Sequence, residues 1–443
     1  MSKRASSYYY YYFFFIPMLP CLFASVLKSA KPVSQRSIWT GITATGPSVE
    51  DCIQAAKSTI REKPDVCVAL ISKSFSTRHY QNLLATIKKE IKPQFLIGGV
   101  VDRVPEVDHG LSLWAGYDEA IIPFVLEDSE ERHKIRNISV GRWGRVEETA
   151  RLKYQSDHVD KVGWKNFGSI SKPAQPHELP PTFQGVNRQP SFVFMVSDNE
   201  PDQLLQTFDH HYPHTPKVGI IGSSTPFITG TPYTLFNNTS LMGSGIVGFA
   251  SFGKQNKAQI NVHHPALQKI GDPLRITRCR GNVILDLDQS GATGLLLKLI
   301  NQDRRASKDE EFYLAVYPPD AEGEENKMTV SRITSGDPSR GNMSIDTTTD
   351  LQVGQTVQFL RRKPYDDNMT APLPTDDDEI LLGVGEKDRT IDMSPVQIPE
   401  KTMIVRDTFG SISENGVIVG RDSLPAQVLD VPYSNITFKA SSE

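Results

Sequence analysis

Two arginines on one short strand pattern carry the strongest chemical signal in this chain. In the run Leu274-Arg275-Ile276-Thr277-Arg278-Cys279-Arg280-Gly281-Asn282, alternation along a strand places Leu274, Ile276, Arg278 and Arg280 on one face. A guanidinium that continues an apolar face needs an acidic partner or an anion, because an unpaired buried charge is costly. Asp286 and Asp288 are close in sequence and would serve as structural partners. The other solution is a ligand carboxylate held by a bidentate fork, with Asn282 adding a polar contact.

Other motifs are weaker. Gly243-Ser244-Gly245-Ile246-Val247-Gly248 matches the G-x-G-x-x-G pattern. A dinucleotide site needs a helix after those glycines. Here Phe249-Ala250-Ser251-Phe252 follows and reads as strand, so no nucleotide cofactor is expected. His210, His211 and His214 cluster beside Pro213 and Pro216, and His263-His264 form a second pair. No cysteine or carboxylate stands at partner spacing, so a solvated turn is expected and no metal. Ser223 and Ser224 follow a glycine turn, but the G-x-S-x-G pattern is missing. No nucleophile–base–acid set emerges, and no catalytic residue is assigned.

Elements that would position a site repeat about 124 residues apart. The first set is the apolar run 66–72, a helical pattern at 81–90 and the run Phe95-Leu96-Ile97-Gly98-Gly99. The second is 192–197, a helical pattern at 201–210, and Val218-Gly219-Ile220-Ile221-Gly222-Ser223. Aromatic-marked strand regions follow at 111–126 and 233–253. The duplication predicts an α+β protein of two related, mixed α/β, β-rich lobes forming a tandem pseudo-repeat, with a ligand cleft between them. A helix is predicted over 47–61, with Ser48 and Asp51 as a capping box. Strand-like 273–288 and a helix near 291–301 follow in the second lobe. The domains read as a segment 1–36, a first lobe 37–185 and a second lobe 186–438, with an acidic, solvated loop at 363–380. The later part of 127–190 reads as the linker, and 401–438 as strands returning to the second lobe.

Charge and cysteine usage narrow the class. The net charge of −4 gives no basic footprint for nucleic acid. Cys21, Cys52, Cys67 and Cys279 form no Cys-x-x-Cys pair, which argues against structural zinc and fits buried thiols in a reducing, intracellular compartment. Six Asn-x-Ser/Thr triplets, from Asn137 to Asn435, are read as chance matches. Residues 1–36 hold Tyr8–Tyr12 and Phe13–Phe15, five basic residues and no acid; the first acid is Glu50. Such a start reads as a mitochondrial presequence, ahead of a mis-called start and of a secretory signal. Pro17 and Pro20 interrupt its apolar stretch, so no stable membrane span is expected.

The second set resembles a known family. Ile221-Gly222-Ser223-Ser224, Leu235-Phe236-Asn237-Asn238, Gly245-Ile246-Val247-Gly248, His264-Pro265-Ala266-Leu267 and Arg278-Cys279-Arg280-Gly281-Asn282-Val283-Ile284 follow the order of the C-terminal half of the FIST sensory domain. Asp337-Pro338-Ser339-Arg340-Gly341 and Val353–Phe359 are similar to its end, and 66–72 with Ile97-Gly98-Gly99 are similar to its N-terminal half. The resemblance implies a sensor of small ligands, amino acids among them; the lack of a catalytic constellation is what argues against an enzyme. Some eukaryotic relatives join this domain to an F-box in ubiquitin ligases. The 36 residues before the first lobe are too few for an F-box bundle.

The reading is therefore a small-molecule sensor, its ligand amino-acid-like or carboxylate-bearing. Gly98, Gly99, Gly222, Ser223 and Ser224 would donate hydrogen bonds from backbone and hydroxyl groups. Arg278 and Arg280 would supply charge, and Asn282 a polar contact. The competing reading is a protein-interaction or substrate-recruiting module.

Overall fold

In the computed structural model, the described residues are 39–442, apart from 128–177, 303–309, 320–324, 364–378, 387–395 and positions 106, 118–119, 254–255, 348, 397 and 423. The presequence reading of 1–36, most of the 127–190 segment and most of the acidic loop thus lie outside the described residues. Strands and helices are numbered along the chain.

Four sheets organise the described residues. Sheet I has the order β20 (Met403–Arg406), β1 (Trp39–Thr45), β4 (Leu111–Gly116), β2 (Val66–Ser72), β3 (Phe95–Val101), β8 (Leu235–Asn237), β9 (Ser240–Met242). Sheet II has the order β23 (Gln427–Leu429), β22 (Val417–Gly420), β7 (Lys217–Ile221), β6 (Phe192–Ser197), β10 (Ile246–Ser251), β5 (Ile121–Leu126). In sheet I, β2 and β3 are parallel, joined by α2 (Thr77–Glu90), while β4, β1 and β8 run antiparallel to their neighbours. In sheet II, β6 and β7 are parallel, joined by α3 (Asp202–His211), while β10, β5 and β22 are antiparallel to theirs.

The strands are apolar along their whole length because both faces are covered. On β2, Val66, Val68 and Leu70 face sheet II, whereas Cys67, Ala69 and Ile71 face the helices. α1 (Val49–Ala56) and α2 cover the outer face of sheet I. Phe208 and Leu205 of α3 cover the outer face of sheet II, together with Phe183. The result is helix, sheet, sheet, helix. Between the sheets Trp39 stacks on Trp114 with centroids 4.1 Å apart, and Trp114 meets Phe194 at 5.5 Å and Phe409 at 5.6 Å. No cleft separates the two sheets at this level: their inner faces share one apolar core.

Sheet III orders β11 (Asn256–His263), β24 (Asn435–Ser442), β19 (Glu379–Val384) and β21 (Phe409–Ser413) and adds Leu382, Ile436 and Phe438 to that core. Sheet IV orders β12 (Leu267–Arg280), β18 (Thr356–Arg362), β15 (Phe312–Tyr317), β16 (Thr329–Gly336), β17 (Met343–Ile345), β13 (Val283–Leu287) and β14 (Ser290–Gly291). Packed beneath α5 (Ala292–Gln302), it has an apolar centre of its own. The fold is β-rich with mixed sheets and few helices, as the α+β expectation requires.

Local expectations mostly meet their elements. Ser48 caps α1, accepting from Asp51 N and donating to its carboxylate. The glycine-rich run turns at Gly245, φ +111°, and enters β10 rather than a helix. Two expectations change. Residues 401–438 do not return to one lobe: β20 extends sheet I, β22 and β23 extend sheet II, and β21 and β24 build sheet III. Short strands of that kind satisfy open edges wherever the backbone offers unpaired groups. The end of the expected linker is also packed, for Phe183 is 2% exposed and meets Phe208 at 5.6 Å.

The first turn of α3 carries a pH-sensitive cost. Burial, then Glu200 and Asp346, push the Asp202 carboxyl up from 3.8 to about 6. The folded state therefore holds this proton more tightly than the unfolded chain. Its contribution favours folding below about pH 4 and is lost as pH rises towards 6, by roughly 2–3 kcal/mol. Asp202→Asn should flatten that slope, so that the difference in urea unfolding free energy between variant and parent grows in the variant's favour from pH 4 to pH 6.5. A constant difference would show that Asp202 does not titrate in this window.

Candidate functional site

Both parallel pairs end on the same side, and the chain places polar residues there as soon as each apolar run stops. Such carboxyl ends are where open α/β sheets bind ligands. Strand β2 delivers Lys73, β3 delivers Asp102, β6 delivers Asp198, and β7 delivers Gly222, Ser223 and Ser224. A turn after β21 adds Glu414 and Asn415.

Hydrogen bonds tie these ends together across the two sheets. Ser223 N donates to Val100 O at 2.9 Å, and Val100 N donates to Thr234 O at 2.9 Å. Lys73 Nζ pairs with Asp102 Oδ1 and lies 3.4 Å from Glu414 Oε2. Glu414 N donates to Asp102 Oδ2, and Ser224 N donates to Glu414 Oε1 at 3.3 Å. Asn415 Nδ2 donates to Gly222 O at 2.9 Å. Burial alone would lower the Lys73 pKa, but Asp102 and Glu414 hold it above the ordinary lysine value, so the ammonium stays charged. Tyr233 closes the far side of the loop; burial first, then Asp198, Glu200 and Glu414, push its hydroxyl up to about 12.

The loop from Ser224 to Tyr233 is braced by its own hydroxyls. Thr225 Oγ1 lies 2.8 Å from Thr234 Oγ1, Thr229 Oγ1 lies 3.0 Å from Thr234 Oγ1, and Thr231 donates to Tyr233 O at 2.7 Å. Thr77, at the start of α2, donates to Ile228 O at 2.6 Å. The helical turn α4 (Pro226–Thr229) on this loop holds Phe227 fully exposed, while Ile228 packs against the α1/α2 core.

Of the residues singled out from sequence, Gly222, Ser223 and Ser224 stand at this end, though only Ser224 is exposed, while Gly98 and Gly99 lie inside β3, paired with β2 on one side and β8 on the other. Gly98 and Gly99 have packing duties: a Cβ at Gly98 would stand 1.8 Å from Ala69 O, and one at Gly99 would meet Val196 and the Thr234 carbonyl. Arg278, Arg280 and Asn282 belong to sheet IV instead. Arg278 pairs with Asp286 at 2.9 Å with two-thirds of its side chain exposed. Register shifts between Ile276 and Arg278, and again at Cys279, break the alternation that put both arginines on the apolar face. Asp288 accepts from Arg275 N, and the Asn282 amide donates to Ile345 O at 3.0 Å.

Sequence reading passed over Lys73, Asp102, Glu414 and Asn415. The available signal was position: Lys73 and Asp102 are the first charged residues after two apolar runs. One other polar centre lies on sheet I. Ser74 Oγ lies 2.8 Å from His109 Nδ1, but it also meets Ser72 Oγ and Asp108 O. It is a hydrogen-bonded hub with no acid to orient the imidazole. Among the described residues, no three His, Cys, Asp or Glu side chains come together to hold a metal ion. Nor is any helix there long and apolar enough to cross a membrane.

Comparison with known proteins adds the family. The FIST N domain matches residues 65–290, just over half of the chain. The chain belongs to the FIST family. That family is associated with sensing and signal transduction. The FIST N match begins at β2 and ends at β14, so it takes in both parallel pairs, Lys73, Asp102 and Ser224 at their carboxyl ends, and residues 186–290 that were assigned above to a C-terminal half, while Glu414 and Asn415 lie outside it. None of the curated proteins matches the chain.

The glycines separate packing from ligand access. Gly98→Ala should cost more than about 4 kcal/mol, because the clash is with backbone and cannot relax, and should yield little soluble protein. Gly222→Ala, whose Cβ would first meet Leu235 at 3.4 Å, should stay within about 1 kcal/mol of the parent. Thermal melts decide, and equal effects would contradict this assignment.

Proposed function

We propose that this FIST protein is a sensor that binds a small, amino-acid-like ligand where the parallel strands of sheets I and II end. The observation that carries the reading is the Lys73–Asp102–Glu414 group. Three elements distant in sequence bring one cation and two partly buried carboxylates together beside the exposed Ser224. Glu414 bridges Lys73 and Ser224 N, so the group joins sheet I to the exposed end of β7. The proposed role is binding rather than catalysis, with Ser224 and Asn415 as polar contacts.

The pseudo-repeat belongs to this proposal. Its support is the shared strand order, in which a parallel pair bridged by a helix is flanked by antiparallel strands in both sheets. The ligand then lies at the rim between the two sheets rather than in a cleft through their middle. The FIST C-terminal half read over 186–438, of which the FIST N match covers the part up to 290, and a mitochondrial address in 1–36 belong to the proposal. The address rests on the acid-free start and would be tested by a reporter fusion.

A protein-interaction role is the second reading, and Phe227 favours it. A fully exposed phenylalanine on a braced loop is a ready anchor for a partner. Native mass spectrometry of the purified protein distinguishes the two. The sensor reading expects a co-purified small molecule that is lost in Glu414→Gln and kept in Phe227→Ala. Retention of the molecule in Glu414→Gln would remove the cluster from the site.

A further inference from the structure

The end of sheet I opposite the rim carries a charge pattern of its own. Strands β2 and β3 begin there, and α1 and α2 both finish there. Lys57, Arg61, Lys63, Lys88, Lys89 and Lys92 gather at that end with Glu62, Asp65 and Glu90. Six basic residues against three acidic ones leave a surplus of three positive charges among the described residues. The contacts show that these side chains form one face. Lys57 and Lys89 share Glu90, at 3.0 and 3.6 Å, and Lys92 reaches Glu62 at 3.2 Å. Lys63 N donates to Ile91 O at 2.8 Å, which sets it beside Lys92. Arg61 lies 4.2 Å from the centre of the Tyr117 ring. The chain as a whole has a net charge of −4, and Asp102, Asp198, Glu200 and Glu414 collect at the rim, so the positive face is local.

Two further observations bear on what this face meets. Lys63 and Lys92 have φ of +58° and +59°, the left-handed region that glycine and asparagine occupy at lower cost. Lysine stands at both places against that backbone preference. The chain also enters sheet I at this end, through Trp39, which pairs with Gly116 beside Asp65. Residues 1–36 precede it and hold Tyr8–Tyr12, Phe13–Phe15, five basic residues and no acid. Aromatic rings favour the membrane–water interface, and basic residues favour anionic headgroups.

We propose that this lysine face, together with residues 1–36, docks on an anionic lipid surface and leaves the rim turned towards solvent. Clusters of about four to eight basic residues next to an apolar segment have this chemistry, and the two signals together give a stronger attachment than either alone. The inference goes beyond the sensor reading and is independent of what the rim binds.

Flotation of the full chain with lipid vesicles tests it, with residues 1–36 present whatever address they carry. The chain should float with vesicles of phosphatidylcholine containing about 30% phosphatidylserine and not with phosphatidylcholine alone. Binding should fall at least about tenfold when salt is raised to about 0.5 M, because screening shortens the reach of surface charge. Lys63→Asn, Lys89→Gln and Lys92→Asn combined should also weaken it at least about tenfold. The same variant should melt at or above the parent temperature, since asparagine suits the left-handed conformation. Lys298→Gln, an exposed change on α5, should leave flotation unaltered. Equal flotation with neutral vesicles, or undiminished flotation of the combined variant, would overturn the proposal. So would a duplex DNA that binds through the same lysines and displaces the chain from the vesicles, which would make nucleic acid the partner of this face.

Discussion

Everything at the rim depends on the apolar contact between sheets I and II. Trp39, Trp114, Phe192, Phe194 and Phe249 meet there with almost no exposure. Burying each large side chain is worth about 1.5–3 kcal/mol, and the pairs gain further from offset and edge-on geometry. The contact also sets a distance. Lys73 and Asp102 are carried by sheet I, Ser223 and Ser224 by sheet II, and Glu414 by the strand that leaves sheet III. Only while the two inner faces are pressed together do these ends come within hydrogen-bond reach.

This arrangement explains why the rim residues are polar and the strands are not. Within β2, β3, β6 and β7 both faces are covered, so a charge there must bring its own buried partner. One residue beyond the last ladder bond the constraint ends, and Lys73, Asp102 and Asp198 appear. One charge inside these strands meets that condition. Lys217, wholly buried on β7, survives because Asp209 pairs with it at 2.8 Å and Tyr212 O accepts from it at 2.7 Å. Burial lowers its pKa even so. That pair fastens α3 to its sheet and has no access to the rim.

The strands and helices of the two parallel units were legible because unbroken apolar runs and helical spacing are local properties. Ser48 and Asp51 gave α1 its start for the same reason. The sheet memberships were not legible. Nothing in Met403–Arg406 names Ile42–Thr45 as its partner, since edge strands are recruited by unpaired backbone rather than by side-chain pattern. The arginine face on β12 failed through bulges, which shift the alternation by one residue and leave no mark in composition. For the site, Gly222 to Ser224 could be read from a turn signal. Glu414, arriving from near the end of the chain, could not, because its role arises only when three sheets are assembled.

The late arrival of the C-terminal strands has a consequence for biosynthesis. Thr43 donates to the Thr408 carbonyl, 365 residues further on, and β22 and β23 close the edge of sheet II from the same stretch of chain. At translation rates of about 5–20 residues per second, the first strand waits roughly 20–70 s for that neighbour. During that interval the inner faces exist without the strands that seal them, and the tryptophans and phenylalanines between the sheets are open to other nascent chains. A chain halted before β20 would keep both unsealed edges for as long as it survived.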